Sequence, residues 1–186
     1  MKERNIPRYV VILTALFVAS FLLGFLAPIP GKMDLFGELK DAFKPILTLS
    51  PWKMFFVILL FNSAESFAVL LAGILFGVVP LIAVATNGYI LGATYMFASR
   101  SVGYVKAAKE VLPHGVFEIL AVLISAAYGL RLGVTFAKRI QQRDMAGFGN
   151  QVVHAIRMFF KVAFPLFFLA AVIETFLIFS MGGIPQ

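Results

Sequence analysis

The sequence contains no cysteine, one tryptophan and two histidines. Without cysteine there is no disulfide framework, no thiolate metal site and no clue to the redox compartment. Charge is scarce as well: Asp, Glu, Lys and Arg make up 13% of the chain against 61% hydrophobic residues, with 21 Phe among them. The mean hydropathy is +0.94. A soluble domain of 186 residues cannot bury that much apolar surface, whereas a bilayer solvates it. A linker, a low-complexity run and a polar domain are all missing. Residues 1–186 therefore read as a single integral membrane domain.

Five apolar stretches are long enough to cross about 30 Å of hydrocarbon as helices. They are Tyr9–Ala27, Met54–Val79, Leu81–Ser99, Val111–Leu130 and Val162–Phe179. Lys2, Arg4 and Arg8 before the first would also suit a signal peptide. Its apolar core is long for a signal and no small-x-small cleavage site follows, so a retained helix is expected. Two connecting segments have apolar residues at helical spacing and should lie in the membrane interface. These are Asp34–Leu47 and Asn150–Lys161, the second with Asn150, His154, Arg157 and Lys161 on one polar face and a kink allowed at Pro165. The expected fold class is thus all-α and polytopic, with about five transmembrane helices and two interfacial amphipathic ones.

The formal net charge of +7 is explained by anionic lipid headgroups, with no call for nucleic acid. On a five-span topology nine cations (Lys2, Arg4, Arg8, Arg131, Lys138, Arg139, Arg143, Arg157, Lys161) fall on one side and seven on the other. The bias expects a multi-pass cell-membrane protein with a cytoplasmic N-terminus and an outside C-terminus. Pro80 marks a tight turn between the second and third spans. Three small-residue pairs, Gly73/Gly77, Gly88/Gly92 and Gly129/Gly133, suit close helix approach and together suggest one narrow waist in the cytoplasmic half.

The informative residues are the polar ones at membrane depth: Asn62, Glu65, Asn87, His114, Glu118 and Glu174. An ionised carboxylate at the bilayer centre costs roughly 3 kcal/mol on insertion scales, so each should face the bundle interior, protonated, paired or bound to a cation. At 1.5 Å per residue, His114, Glu118 and Glu174 form an outer layer about 5–10 Å deep, and Asn62, Glu65 and Asn87 a middle layer at about 15–20 Å. His114 and Glu118, at i and i+4, share a helix face, and Pro113 suits a helix first turn. Three readings stay open. The residues are a structural lock, a proton relay, or a site in which His114, Glu118 and Glu174 bind a zinc-like divalent cation.

At these positions the sequence resembles a known family. "FNSAES", "GILFGVVP", "TNGYILG", "LPHGVFEILAVLISAAYGLRLG" and "IETF" are similar to the stage II sporulation protein M family, over roughly Phe55 to Phe179. Pro113, His114, Gly115 and Glu118 form the most specific motif, and Asn62, Asn87, Gly88 and Glu174 match other recurrent positions. The resemblance implies a small polytopic membrane protein whose polar set is the family signature. Sporulating members act with partner proteins in the membrane movement and wall remodelling of engulfment, which gives a scaffold function its content.

Enzymatic candidates fare poorly. The His-Glu-x-x-His signature is absent, as is a Glu-Glu pair followed by Arg, and Ser63, Ser66 and Ser125 lack a recognisable base. The expected function is a small cation- or proton-linked transporter or channel. The alternative is a non-catalytic scaffold organising membrane or envelope protein partners, and an intramembrane metal-dependent hydrolase ranks last. Five spans in a small chain suggest a homodimer for transport. A faint echo of Glu65-Ser-Phe in Glu174-Thr-Phe is in keeping with inverted repeats.

Overall fold

A computed structural model describes residues 6–27 and 49–180; of these, the side chains of residues 101 and 110–114 are not described. Among the described residues six α-helices follow one another: α1 (Ile6–Leu26), α2 (Pro51–Ala72), α3 (Val78–Val102), α4 (Tyr104–Gln142), α5 (Phe148–Met158) and α6 (Phe164–Ser180). A single π-helical turn, Phe159–Ala163, carries α5 into α6. No strand occurs among the described residues. Five helical stretches are long and apolar enough to cross a membrane: Ile6–Leu26, Pro51–Ala72, Val78–Arg100, Gly115–Gln142 and Phe148–Ser180. The Asp34–Leu47 segment, expected as an interfacial helix, lies outside the described residues.

The helix boundaries follow backbone chemistry. Ser50 is extended and Pro51 opens α2, where its missing N–H costs nothing. A turn over residues 73–77 separates α2 from α3, closed by Phe76 (φ 55°) and Gly77 (φ 75°) in the left-handed region. Pro80, expected to break the chain, instead sits in the first turn of α3, where no ladder bond is lost. Gly103, at φ 84°, is the whole of the hinge between α3 and α4. Nothing stands near its missing Cβ, so glycine is needed there for conformation alone.

One expectation about helix extent is corrected. The fourth helix was placed at Val111–Leu130, with His114 near its N-terminus. It starts at Tyr104 and ends at Gln142, 39 residues in all, about 58 Å of helix against about 30 Å of hydrocarbon. Arg100, Lys106 and Lys109 mark where lipid stops, and a helix is free to continue past that level. His114 is therefore an interior helical position. Asn150–Lys161, expected as an interfacial amphipathic helix with a kink allowed at Pro165, falls on α5 (Phe148–Met158) and the π turn after it. The helical path is continuous from Phe148 to Ser180. Proline 165 would collide with the carbonyl of Lys161 in a regular α-helix. The π turn over 159–163 opens the ladder at that place, which is the local adjustment a proline requires.

α4 is the central post, and its two faces carry two cores. Ala121, Tyr128 and Leu132 pack with Phe55, Leu59 and Leu70 of α2 and with Phe148, Ala155, Phe159, Phe167 and Ala171 of the last helical stretch. Leu123, Ala126, Ala127 and Leu130 pack with Leu13 and Phe17 of α1 and Val84 of α3. α1 and α3 run side by side, whereas α2 and α3, though adjacent in sequence, make little contact. They splay on either side of α4. Large apolar side chains point away from the bundle, among them Val11 at 67%, Phe61 at 74% and Phe176 at 69% exposure, as a lipid-solvated surface allows.

The glycine pairs make two seams in place of one waist. A Cβ on Gly73 would overlap the Gly129 backbone, and one on Gly133 would overlap Gly73 and Gly77. Gly88 and Gly92 instead meet the backbone of α1 at Phe17 and Phe21, helped by Gly24 against Tyr89. With no hydrophobic drive between helices in lipid, such contacts supply van der Waals attraction over a long stretch.

Candidate functional site

The Gly73–Gly129–Gly133 contact gives a fixed level from which heights can be measured. α2 runs down to it and α4 runs down through it, while α3 climbs away from Gly77, which meets Gly133. At 1.5 Å per residue, Glu65 lies about 12 Å above Gly73, Glu118 about 16 Å above Gly129, and Asn87 about 15 Å above Gly77. Asn62, one turn before Glu65, lies about 16 Å up. The expected separation of Glu118 from the other three into different layers thus disappears.

Asn87 and Glu118 line one cleft of about 100 Å³, whose other walls include Phe17, Leu91, Gly115 and Val122. Glu118 lies within electrostatic reach of Glu65 from α2 and of Glu174 from α6. Glu118, Glu174, Asn87 and Asn62 are half-buried, whereas Glu65 is exposed on the flank of α2. Among the described residues the only ion pair is Arg139 Nη1 to Asp144 Oδ2 at 2.9 Å, so no lysine or arginine neutralises the three carboxylates there. His114 occupies the α4 position four before Glu118; its side chain lies outside the described residues.

Among the described residues no three His, Asp or Glu side chains stand close enough to share a metal ion. Of the candidate ligand set His114, Glu118 and Glu174, only the two carboxylates are described. The polar groups on the walls of the cleft, Glu118 and Asn87, can hydrogen-bond to water there.

The buried hydroxyls serve the helices themselves. Ser125 Oγ donates to the Ala121 carbonyl at 2.8 Å and Ser63 Oγ to the Leu59 carbonyl, the i−4 pattern of a satisfied helical serine. His154 was expected as a surface residue; it is half-buried, with its ring 6.1 Å from that of Tyr128. Two cleft residues escaped sequence reasoning. Gly115 is buried beside Glu118, and its place in the Pro-His-Gly motif was the available signal. Phe17 reaches the cleft from α1, and nothing in its local sequence marks it.

These helices define a polytopic α-helical membrane protein, in keeping with a bilayer environment. Residues 13–177 match the family model "Stage II sporulation protein M", and the chain belongs to that family. No curated protein and no solved structure matches the chain.

Proposed function

We propose that the chain is a small proton- or cation-linked transporter or channel, in which Glu118 carries the proton or cation at membrane depth. The observation that supports it is that Glu118 shares a cleft with Asn87 and lies within electrostatic reach of Glu65 from α2 and of Glu174 from α6. A carboxylate in lipid is costly and is retained where it binds something. Asn87, facing the same cleft, can both donate to and accept from a passing hydrated ion. Glu65 and Glu174 tune the occupancy of Glu118 by their charge, and His114 and Asn62 complete the set. A divalent cation held by His114, Glu118 and Glu174 is the narrower form of this reading. This reading takes the N-terminus as cytoplasmic and the C-terminus as outside, supported by the nine-to-seven bias of cations, and a homodimer as the working unit, supported by the small number of spans in one chain.

Reconstitution into liposomes tests the proposal. With a pH-sensitive or ion-sensitive dye enclosed, wild-type protein should dissipate an imposed proton, potassium, sodium or magnesium gradient faster than empty liposomes do. Glu118→Gln should return the rate to that of empty liposomes while keeping the helical circular dichroism. Wild-type protein no faster than empty liposomes for all four ions would defeat the transporter and leave the scaffold reading in its place.

A further inference from the structure

The end of the bundle that carries the α4 C-terminus is as basic as the Glu118 region is acidic. α1 begins there, since it runs parallel to α3, with Phe17 against Gly88 and Phe21 against Gly92, and α3 starts beside Gly133. α5 folds back onto α4 at the same end, through Phe136 and Phe148 with ring centroids 5.4 Å apart. Arg8, Arg131, Lys138 and Arg143 therefore lie toward this end, with Arg131 and Arg143 about 18 Å apart along the helix direction, whereas Lys161 stands higher, next to the Phe160 that meets Phe67 of α2. Their only described acidic neighbour, Asp144, is held by Arg139 at 2.9 Å and also accepts the Ala146 N–H at 2.8 Å. The other cations thus have no protein carboxylate to satisfy them among the described residues.

Arg131 stands apart from the rest. Its Nη1 is buried and makes no hydrogen bond, although its side chain as a whole is only half-buried. An arginine left free of a partner normally extends into water. This one is held against the bundle, with its Nη1 finding no acceptor among the described residues. Its depth is that of a headgroup: it lies thirteen residues beyond Glu118 on one helix, about 20 Å along the membrane normal. Ile140 on α4, Met145 on the turn after it and Val153 on α5 are 49%, 46% and 55% exposed, so the basic end is interleaved with apolar residues, as a surface immersed in the interface would be.

We propose that this end of the bundle is a binding site for an anionic phospholipid, with Arg131 as the phosphate-binding residue. A guanidinium offers a planar fork that matches phosphate oxygens. A lipid phosphodiester arrives at this depth with its acyl chains already in the hydrocarbon, where a free phosphate ion would have to be brought into the interface unaccompanied. Binding there would brace α5 against α4 and hold the π turn at the entry to α6.

Native mass spectrometry of the full chain in detergent tests this with three probes: phosphatidylglycerol, phosphatidylcholine and inorganic phosphate. The wild type should retain phosphatidylglycerol in preference to phosphatidylcholine, and inorganic phosphate should not displace it. Arg131→Gln should weaken phosphatidylglycerol binding about fivefold, the worth of one cation at an anionic surface. Arg143→Gln, on the exposed turn after α4, should weaken it less. If Arg131→Gln does not fold, Arg131→Lys keeps the charge without the fork and should bind more weakly than wild type. Equal retention of the two lipids, equal binding by wild type and the folded Arg131 variant, or displacement by inorganic phosphate would each overturn the proposal.

Discussion

Consider replacing Gly133 of α4 by alanine. The new Cβ would overlap the backbone of Gly73 and Gly77. No flexible side chain stands in the way to be pushed aside, so the helices must separate. Overpacking of this kind costs about 1–3 kcal/mol, and contact with backbone argues for the upper end. Alanine in a helix regains about 1 kcal/mol over glycine. The net expectation is a loss of about 2 kcal/mol, roughly a thirtyfold fall in the folding equilibrium constant.

Gly149 supplies the control, because it lies in α5 with nothing within 4 Å of its missing Cβ. Gly149→Ala carries the same propensity gain without the clash, so it should stabilise by up to about 1 kcal/mol. The difference between the two variants, about 3 kcal/mol, isolates the helix contact from the propensity of the residue. Unfolding in detergent followed by far-UV circular dichroism measures both. A second substitution, Gly73→Ala, acts on the same contact, so the double variant should lose less than the sum of the singles. Equal shifts for Gly133→Ala and Gly149→Ala, or strict additivity at positions 73 and 133, would refute the close seam between α2 and α4.

Phe159 is 2% exposed and meets Phe67 and Phe167; Phe159→Ala should cost about 3–5 kcal/mol, whereas Phe61→Ala, 74% exposed, should barely change detergent unfolding. Topology is checked by Glu3→Cys and Ile184→Cys, which should react with impermeant maleimide from opposite sides of the membrane; labelling from one side would remove the five-span arrangement. Light scattering in detergent should give twice the mass of the chain for the proposed homodimer, and the monomer mass would end that reading.

The number of spans was legible because length and apolarity are read directly against the thickness of a bilayer. Helix ends were less so, and for one physical reason. Lys106 and Lys109 set the edge of the lipid, yet α4 runs from Tyr104 straight through them. Proline misled in the same way. Pro80, Pro113 and Pro165 each removes one N–H, but none ends a helix. The first falls in an opening turn, where the donor is surplus. The third is met by a π turn just before it. Only the whole bundle shows which of these accommodations is available, because the neighbours of a helix decide whether it can continue.

The facing of Glu118 was legible in principle, through residues read for another purpose. A helix turns 100° per residue, and Glu118 precedes Gly129 by eleven residues, so the two differ by only about 20° after three full turns. Gly129 meets Gly73 of α2, hence Glu118 looks toward α2 as well. Glu65 precedes Gly73 by eight residues, a rotation of about 80° past two turns. It therefore stands on the flank of α2, partly open, in place of facing α4 squarely, in agreement with its exposure. Asn87 of α3 stands at the same height and shares its cleft with Glu118, without a residue of α2 in the lining. Had the glycines been used as marks of rotation as well as of proximity, the exposure of Glu65 would have followed from the sequence. Glu174 would not, since α6 has no glycine contact to index its rotation, and its place beside Glu118 depends on where the π turn sets that helix.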